Sequence, residues 1–223
     1  MPSPSGTGRS RHRPAGRTAD VARRVDPERT AARRAQITAA AAELFARRGF
    51  ERTTAADIAR AAGISSGSVF YYFPDKQAIF RAIFAADLPL AHEQVQRHAD
   101  SPSALAGILA TVEELAAEAS WPGAAGLMVE LLRVIDRDEQ LQEIIGGVAA
   151  VRGAGLEALV HRAAAAGEIA VDLSGEQAAE TARWIQSIVD AAFLIAEPGR
   201  DPAPHIRRIV RGYLTAPSEG ERA

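Results

Sequence analysis

The chain has 223 residues, of which 47% are hydrophobic and 24% charged, so it carries enough apolar material to form one or two folded domains. It contains no cysteine, which excludes disulfides, thiolate zinc sites, iron–sulfur clusters and cysteine nucleophiles. The longest stretch without Asp, Glu, Lys or Arg is residues 61–74, too short to span a bilayer, so we expect no membrane partner and a cytoplasmic location.

Charge is distributed unequally along the chain. Residues 1–85 contain 15 basic side chains and 7 acidic ones, whereas residues 86–223 contain 11 and 21. The net charges of the two parts are therefore +8 and −10. This contrast predicts that the N-terminal part meets a polyanion, with nucleic acid the leading candidate.

Residues 1–26 are predicted to form a flexible basic arm. They carry six arginines among Pro, Gly and Ser, without an apolar period and without the apolar run that a signal peptide needs. Such an arm is either a solvated tail or a segment that touches phosphate or the minor groove of DNA.

The first predicted helix runs from Pro27 to Arg48 and stops at Gly49. Its apolar residues recur on one face at helical spacing, as in Ile37, Ala41, Leu44 and Phe45. The helix therefore has one face available for a core.

The next two predicted helices are short and follow each other closely. The first begins after Thr54, whose spacing to Asp57 is that of a capping box. Ser65 or Ser66 caps the following helix, which ends near Tyr72.

The spacing within residues 54–72 is typical of a helix-turn-helix. Ile58 and Val69 supply apolar contacts between the two helices, and Ala59 is small enough for the second helix to cross above it. Gly63 supplies the tight turn. An ordinary helical hairpin has similar apolar spacing and remains the alternative.

The rest of the chain also has helical periodicity, and no alternating strand pattern competes with it. A fourth helix is predicted to start at Pro74–Asp75 and to break or bend near Pro89. Ser174 with Gln177 forms another capping box. Five further helices are predicted at residues 103–119, 123–136, 139–166, 175–197 and 203–214. The fold class is therefore all-α.

Residues 37–84 contain the segments LFARRGF, GISSGSVFYYF and PDKQAIF, and they resemble the N-terminal domain of the tetracycline-repressor (TetR) family of transcriptional regulators. The resemblance implies a three-helix DNA-binding domain at 27–75, a helical ligand-binding and dimerisation domain at 76–215, and a tail at 216–223. It further implies a homodimeric repressor, without enzymatic activity or cofactor, that binds a palindromic operator in double-stranded DNA. A small, largely apolar effector would release it.

The resemblance assigns DNA contacts by position. Thr54 would meet a phosphate at a helix N-terminus. Lys76, the only lysine of the chain, matches a common phosphate-binding lysine of the family. Phe70 lacks the hydroxyl of the usual tyrosine. Ser66 stands where the family often has lysine. The predicted DNA-binding residues are Thr54, Ser66, Gly67, Ser68, Phe70, Tyr71 and Lys76.

The C-terminal predictions concern a pocket and an interface between subunits. The candidate ligand contacts are Trp121, Met128, Glu130, Leu131, Arg133, Trp184 and Phe193, each with core packing as the alternative. The candidate dimer contacts are Trp184, Ile188, Ala191, Ile206, Ile209, Val210 and Tyr213, with a monomeric core as the alternative.

Other functions have weaker support. Residues 63–67 match the nucleophile-elbow pattern G-x-S-x-G, but a helix precedes them where that motif needs a strand. The five histidines lack the spacing of helical metal sites, and Gly153 to Gly155 are better explained by close helix packing than by a dinucleotide site. The alternatives kept are a ligand-independent DNA-binding regulator and, from another class, a helical enzyme or an interaction module.

Overall fold

The computed structural model describes residues 26–170, 176–195, 197 and 199–216. Within these residues the chain forms ten α-helices and no strand. The helices are α1 Pro27–Arg48, α2 Ala55–Ala61, α3 Ser66–Tyr72, α4 Lys76–Ala85, α5 Asp87–Ala99, α6 Ala104–Ala117, α7 Ala124–Val134, α8 Glu139–Ala165, α9 Gln177–Ile195 and α10 Ala203–Thr215. Single 3-10 turns at Glu118–Ser120 and Ile135–Arg137 extend α6 and α7.

Local capping explains where several helices begin and end. The side chains of Asp26, Asp75, Ser103 and Asp138 accept backbone N–H groups in the first turns of α1, α4, α6 and α8. Gly49 ends α1 with a φ of 85°, which favours glycine. The all-α prediction is confirmed. The predicted capping box at Ser174 lies outside the described residues.

The predicted break after α4 is present and falls at Ala86, three residues before Pro89. Pro89 itself lies in the first turn of α5. Proline is tolerated there, since the N–H groups of a first turn have no partner within the helix.

The described helices share two apolar cores. The first core joins α1 to α4 and also contains Leu131 of α7 and Leu141 of α8. The second core joins α6, α8, α9 and α10 around residues such as Ile108, Leu156 and Ile185. Helices α1 to α4 are therefore packed directly on α7 and on the start of α8.

Two glycines allow helices to approach closely. A Cβ on Gly155 of α8 would lie 2.5 Å from Cγ1 of Val95 on α5, which supports the helix-packing interpretation of this glycine. A Cβ on Gly126 of α7 would lie 2.3 Å from the carbonyl oxygen of Ala46 on α1. The contact between α1 and α7 therefore needs glycine on one side.

Among the described helices, α8 is long and apolar enough to cross a membrane by its 27 residues and its hydropathy. It packs against α5, α6 and α9, and its Leu156 and Val160 are buried in the second core. The side chain of Arg152 pairs with Glu118 at 3.6 Å. These contacts are those of a helix inside a bundle.

Candidate nucleic-acid interface

The start of α2 is held by a reciprocal hydrogen-bond pair. The Thr54 hydroxyl accepts the Asp57 N–H at 3.1 Å and donates to Asp57 Oδ2 at 2.6 Å, and the Thr54 N–H donates to the same oxygen at 3.1 Å. The hydroxyl bond from Thr54 is the main reason that the pKa of Asp57 lies below its ordinary value, and Arg60 and Arg48 add to it. The hydroxyl of Thr54 is thus used within the domain, and its phosphate contact stays a prediction.

The turn between α2 and α3 has the predicted features. Gly63 has a φ of 63°, and Ile58, Ala59 and Val69 are buried between the helices. The predicted helix-turn-helix geometry is therefore present.

Ser65, and not Ser66, caps α3. Its side chain accepts the Ser68 N–H at 3.1 Å, and the hydroxyls of Ser65 and Ser68 lie 2.8 Å apart. Ser68 is therefore engaged with the cap, whereas Ser66 is exposed at the start of the helix.

The outer face of α3 presents two large aromatic side chains to solvent. Phe70 is 55% exposed and Tyr71 69% exposed, and the Tyr71 ring packs edge-on against Tyr72 with centroids 5.0 Å apart. Gly67 lies on the same helix, and a Cβ there would meet only Ser65 Oγ at 4.0 Å. Packing within the chain thus explains neither the exposed aromatics nor the glycine, and both suit a close approach by another molecule.

Lys76 is placed at the start of α4 but is half-buried. Its Nζ donates to the Phe50 carbonyl oxygen at 2.7 Å and lies 4.2 Å from the centroid of the Phe50 ring. The ammonium thus secures the loop after α1, and its predicted phosphate contact is untested.

Two side chains of α1 that sequence reasoning missed hold the helix-turn-helix in place. Gln36 Nε2 donates to the Ala62 carbonyl at 2.8 Å, and Arg34 donates to the Tyr72 carbonyl while its guanidinium lies 4.0 Å from the Phe73 ring centroid. Both side chains donate to carbonyls at the C-terminal ends of α2 and α3, where the last carbonyls of a helix have no partner within it. No local pattern in α1 identifies these distant acceptors.

Several predicted ligand contacts lie where α7 meets helices α1 to α4. Glu130 is buried and its Oε2 accepts the Phe50 N–H at 2.9 Å, while Arg133 lies 3.3 Å from its other oxygen. Leu131 and Met128 belong to the first core.

The other predicted ligand contacts lie elsewhere. Trp121 is 37% exposed above Gly123, Trp184 is 56% exposed on α9, and Phe193 packs against the second core. The seven candidates are therefore not gathered around one cavity, and their role in binding a ligand stays a prediction.

The predicted dimer contacts separate into two groups. Ile206 and Val210 are buried in the second core of the same chain, so their assignment to a surface between subunits is corrected. They lie on the inward face of α10, because the helical period turns them toward α6. The outward-facing set consists of Trp184, Ala191, Ile209 and Tyr213, with Ile188 partly buried. Leu194 and Ile195, at 50% and 70% exposure, extend this surface and were not predicted.

Comparison with known proteins agrees with this geometry. Residues 37–83 match the family model described as bacterial regulatory proteins, tetR family. The chain is 34% identical over 92 residues to the uncharacterised transcriptional regulator YfiR of Bacillus subtilis, covering 41% of this chain and 45% of YfiR. It is 31% identical over 118 residues to the transcriptional repressor Rv1474c of Mycobacterium tuberculosis, covering 53% and 50%.

The aligned part thus spans about half the length of these curated relatives, which are regulators and not enzymes. A longer match is found with the structure of AibR in complex with isovaleryl coenzyme A and operator DNA. It covers 83% of this chain and 100% of that one with a TM-score of 0.65. At 20% identity this likeness shows a shared fold.

Proposed function

Through its N-terminal domain the chain belongs to the TetR family of bacterial regulatory proteins, and from this premise we propose that it is a sequence-specific, homodimeric transcriptional repressor acting in the cytoplasm. The observation that carries the proposal is the exposed face of α3. Phe70 and Tyr71 are 55% and 69% exposed there, on a helix whose opposite side is buried through Val69. Large exposed aromatics on a fixed helix are typical of a binding surface.

Helix α3, as the recognition helix, would enter the major groove with Ser66, Gly67, Phe70 and Tyr71 toward the bases. A thymine methyl offers an apolar contact to Phe70, and the Tyr71 hydroxyl can bond to a base edge or a phosphate. The net charge of +8 on residues 1–85 favours the approach to DNA, since each neutralised phosphate releases counterions.

The outward faces of α9 and α10 support the homodimer. Trp184, Leu194 and Ile195 are exposed on α9, and Ile209 and Tyr213 on α10. An isologous two-fold contact through these helices would bury this apolar surface. Two recognition helices related by that axis would read a palindromic operator with half-sites about one helical turn apart.

We further propose that a small, largely apolar effector releases the operator. AibR was crystallised with isovaleryl coenzyme A and operator DNA, which supports an effector in a protein of the same fold. In this chain α7 shares the first core with helices α1 to α4. A ligand that binds one arrangement of α7 and these helices more tightly than another would shift the equilibrium toward that arrangement and so change the operator affinity. A screen in which no compound changes operator affinity would favour the ligand-independent regulator instead.

The first experiment is selection of binding sites from a random duplex library by the purified protein. A palindromic consensus is expected, with log affinity falling by about 0.9 per contacted phosphate for each unit of log salt. Weak binding without an enriched sequence would overturn the proposal.

The role of α3 is tested on the selected operator. Tyr71→Ala is expected to weaken binding by about tenfold to a hundredfold, because it removes one contact in the groove. Leu90→Ala, a truncation of another exposed apolar residue on α5, is the matched control and should leave affinity unchanged. Equal affinities of the two variants would contradict recognition through α3.

The dimer surface is tested by sedimentation. Trp184→Glu combined with Ile209→Glu places charges on both helices and is expected to give monomers, since burying an unpaired charge is costly. Leu90→Glu is the control. A double variant that still forms dimers would place the interface elsewhere.

A further inference from the structure

A cleft of about 650 Å³ lies at the edge of the contact between helices α1 to α4 and the C-terminal helices. One wall is formed by residues 48–52, at the end of α1 and in the loop after it, together with Gln77 and Phe80 of α4. The other wall is formed by the last turns of α7 and the 3-10 turn that follows. Its residues are Glu130, Arg133, Val134, Arg137 and Asp138. Both parts of the chain therefore contribute to one concave surface.

Four arginines line this cleft, two from each side: Arg48, Arg52, Arg133 and Arg137. Arg48 is 3.9 Å from Asp57, and Arg52 uses its Nε on the Arg48 carbonyl at 2.6 Å. Within the described part of the chain Arg137 has no ion pair within 4.0 Å. Most guanidinium N–H groups in the cleft are thus available to a ligand.

Two of the three carboxylates in the lining are already engaged. Glu130 accepts the buried Phe50 N–H at 2.9 Å and pairs with Arg133 at 3.3 Å. Asp138 caps α8 and pairs with Arg81 of α4 at 2.8 Å. Glu51 is the third, so the arginines outnumber the carboxylates that could still compensate them.

We propose that this cleft binds a phosphate-bearing small molecule. The planar guanidinium presents paired N–H donors that match phosphate oxygens, and four such groups line one cleft with too few free carboxylates to compensate them. Because the arginines belong to both walls, the ligand bridges the DNA-binding helices and α7. Its binding is therefore linked to their relative orientation and hence to operator affinity.

Calorimetric titration of the full-length protein with inorganic pyrophosphate tests the site. The double variant Arg133→Gln/Arg137→Gln is expected to bind pyrophosphate about tenfold more weakly or worse, because it removes two charged donors. The control Arg207→Gln/Arg211→Gln removes two exposed arginines of α10 and should bind as the wild type does. Failure of the wild type to bind, or equal loss in both variants, would overturn the proposal.

A second arm separates a free ligand from the phosphates of the DNA backbone. Pyrophosphate should change the operator affinity of the wild type, and the same concentration should change that of Arg133→Gln/Arg137→Gln much less. A weaker affinity of this variant without pyrophosphate, with a shallower salt slope and unchanged pyrophosphate binding, would assign the arginines to DNA phosphates and refute the proposal. The calorimetric arm needs no operator, so its result stands independently of the proposed repressor function.

Discussion

Glu130 makes a buried connection between α7 and the DNA-binding helices, and its removal should have a measurable effect on stability. Its Oε2 accepts the N–H of Phe50, a residue that is itself only 5% exposed. Glu130→Ala leaves that N–H in the interior without an acceptor. The variant also empties the space beside Gly49, where an added Cβ would lie 3.4 Å from Glu130 Oε1.

The expected magnitude follows from these contacts. A buried donor left unsatisfied costs about 1–3 kcal/mol, and the lost bond had a charged acceptor. The contact with Arg133 adds little, because the Arg133 side chain is 69% exposed. We therefore expect Glu130→Ala to lower the free energy of unfolding by about 2–3 kcal/mol.

The assay is urea unfolding, read as a shift of the midpoint at constant slope. Glu130→Gln keeps an oxygen acceptor of similar shape, so its loss of stability should be less than half of that of Glu130→Ala. Glu143→Ala, at an exposed position of α8, should change stability by less than about 0.5 kcal/mol. The reasoning is refuted if Glu130→Ala matches the Glu143→Ala control, or if Glu130→Gln is as unstable as Glu130→Ala.

Two further predictions concern helix packing and a partly buried carboxylate. Gly126→Ala should lower the free energy of unfolding by about 1–3 kcal/mol, because the new Cβ meets a backbone carbonyl. Gly146→Ala, whose new Cβ has nothing within 4 Å, should raise it by about 0.5–1 kcal/mol. Similar thermal midpoints for the two variants would contradict the close contact between α1 and α7. Burial raises the pKa of Asp87 from 3.8 to about 6, although Arg152 opposes the rise. The native state therefore holds a proton on Asp87 in a pH range where the unfolded chain has lost it. The free energy of unfolding falls as the pH rises from about 4 through 6. Asp87→Asn should therefore raise the free energy of unfolding at pH 7 by about 2–3 kcal/mol and flatten its decline between pH 4 and 6, and a variant with the wild-type pH profile would refute this.

The amino-acid sequence by itself determined the helices and the helix-turn-helix. The cap at Thr54, the turn at Gly63 and the buried pair Ile58 and Val69 were all predicted from the residues. The cap and the turn act within about four residues, and Ile58 and Val69 lie 11 positions apart in the same short segment, so no knowledge of distant partners is needed to interpret these signals.

Tertiary packing decided which surfaces the helices present. Ile206 and Ile209 carry similar apolar side chains in one helix, but Ile206 is 3% exposed and Ile209 43% exposed, because only one of them faces α6. The helical period shows that α10 has an apolar side but does not show how much of it the same chain covers.

The same reason explains the polar residues. The partners of Lys76 and Glu130 are backbone groups of Phe50, which lies 26 and 80 positions away in the sequence. A charged side chain in a sequence has many possible partners, and only the approach of α4 and α7 to the end of α1 selects these. The sequence therefore determined which segments form helices, whereas the packing of distant helices decided which charges hold the domain together and which remain available to DNA or a ligand.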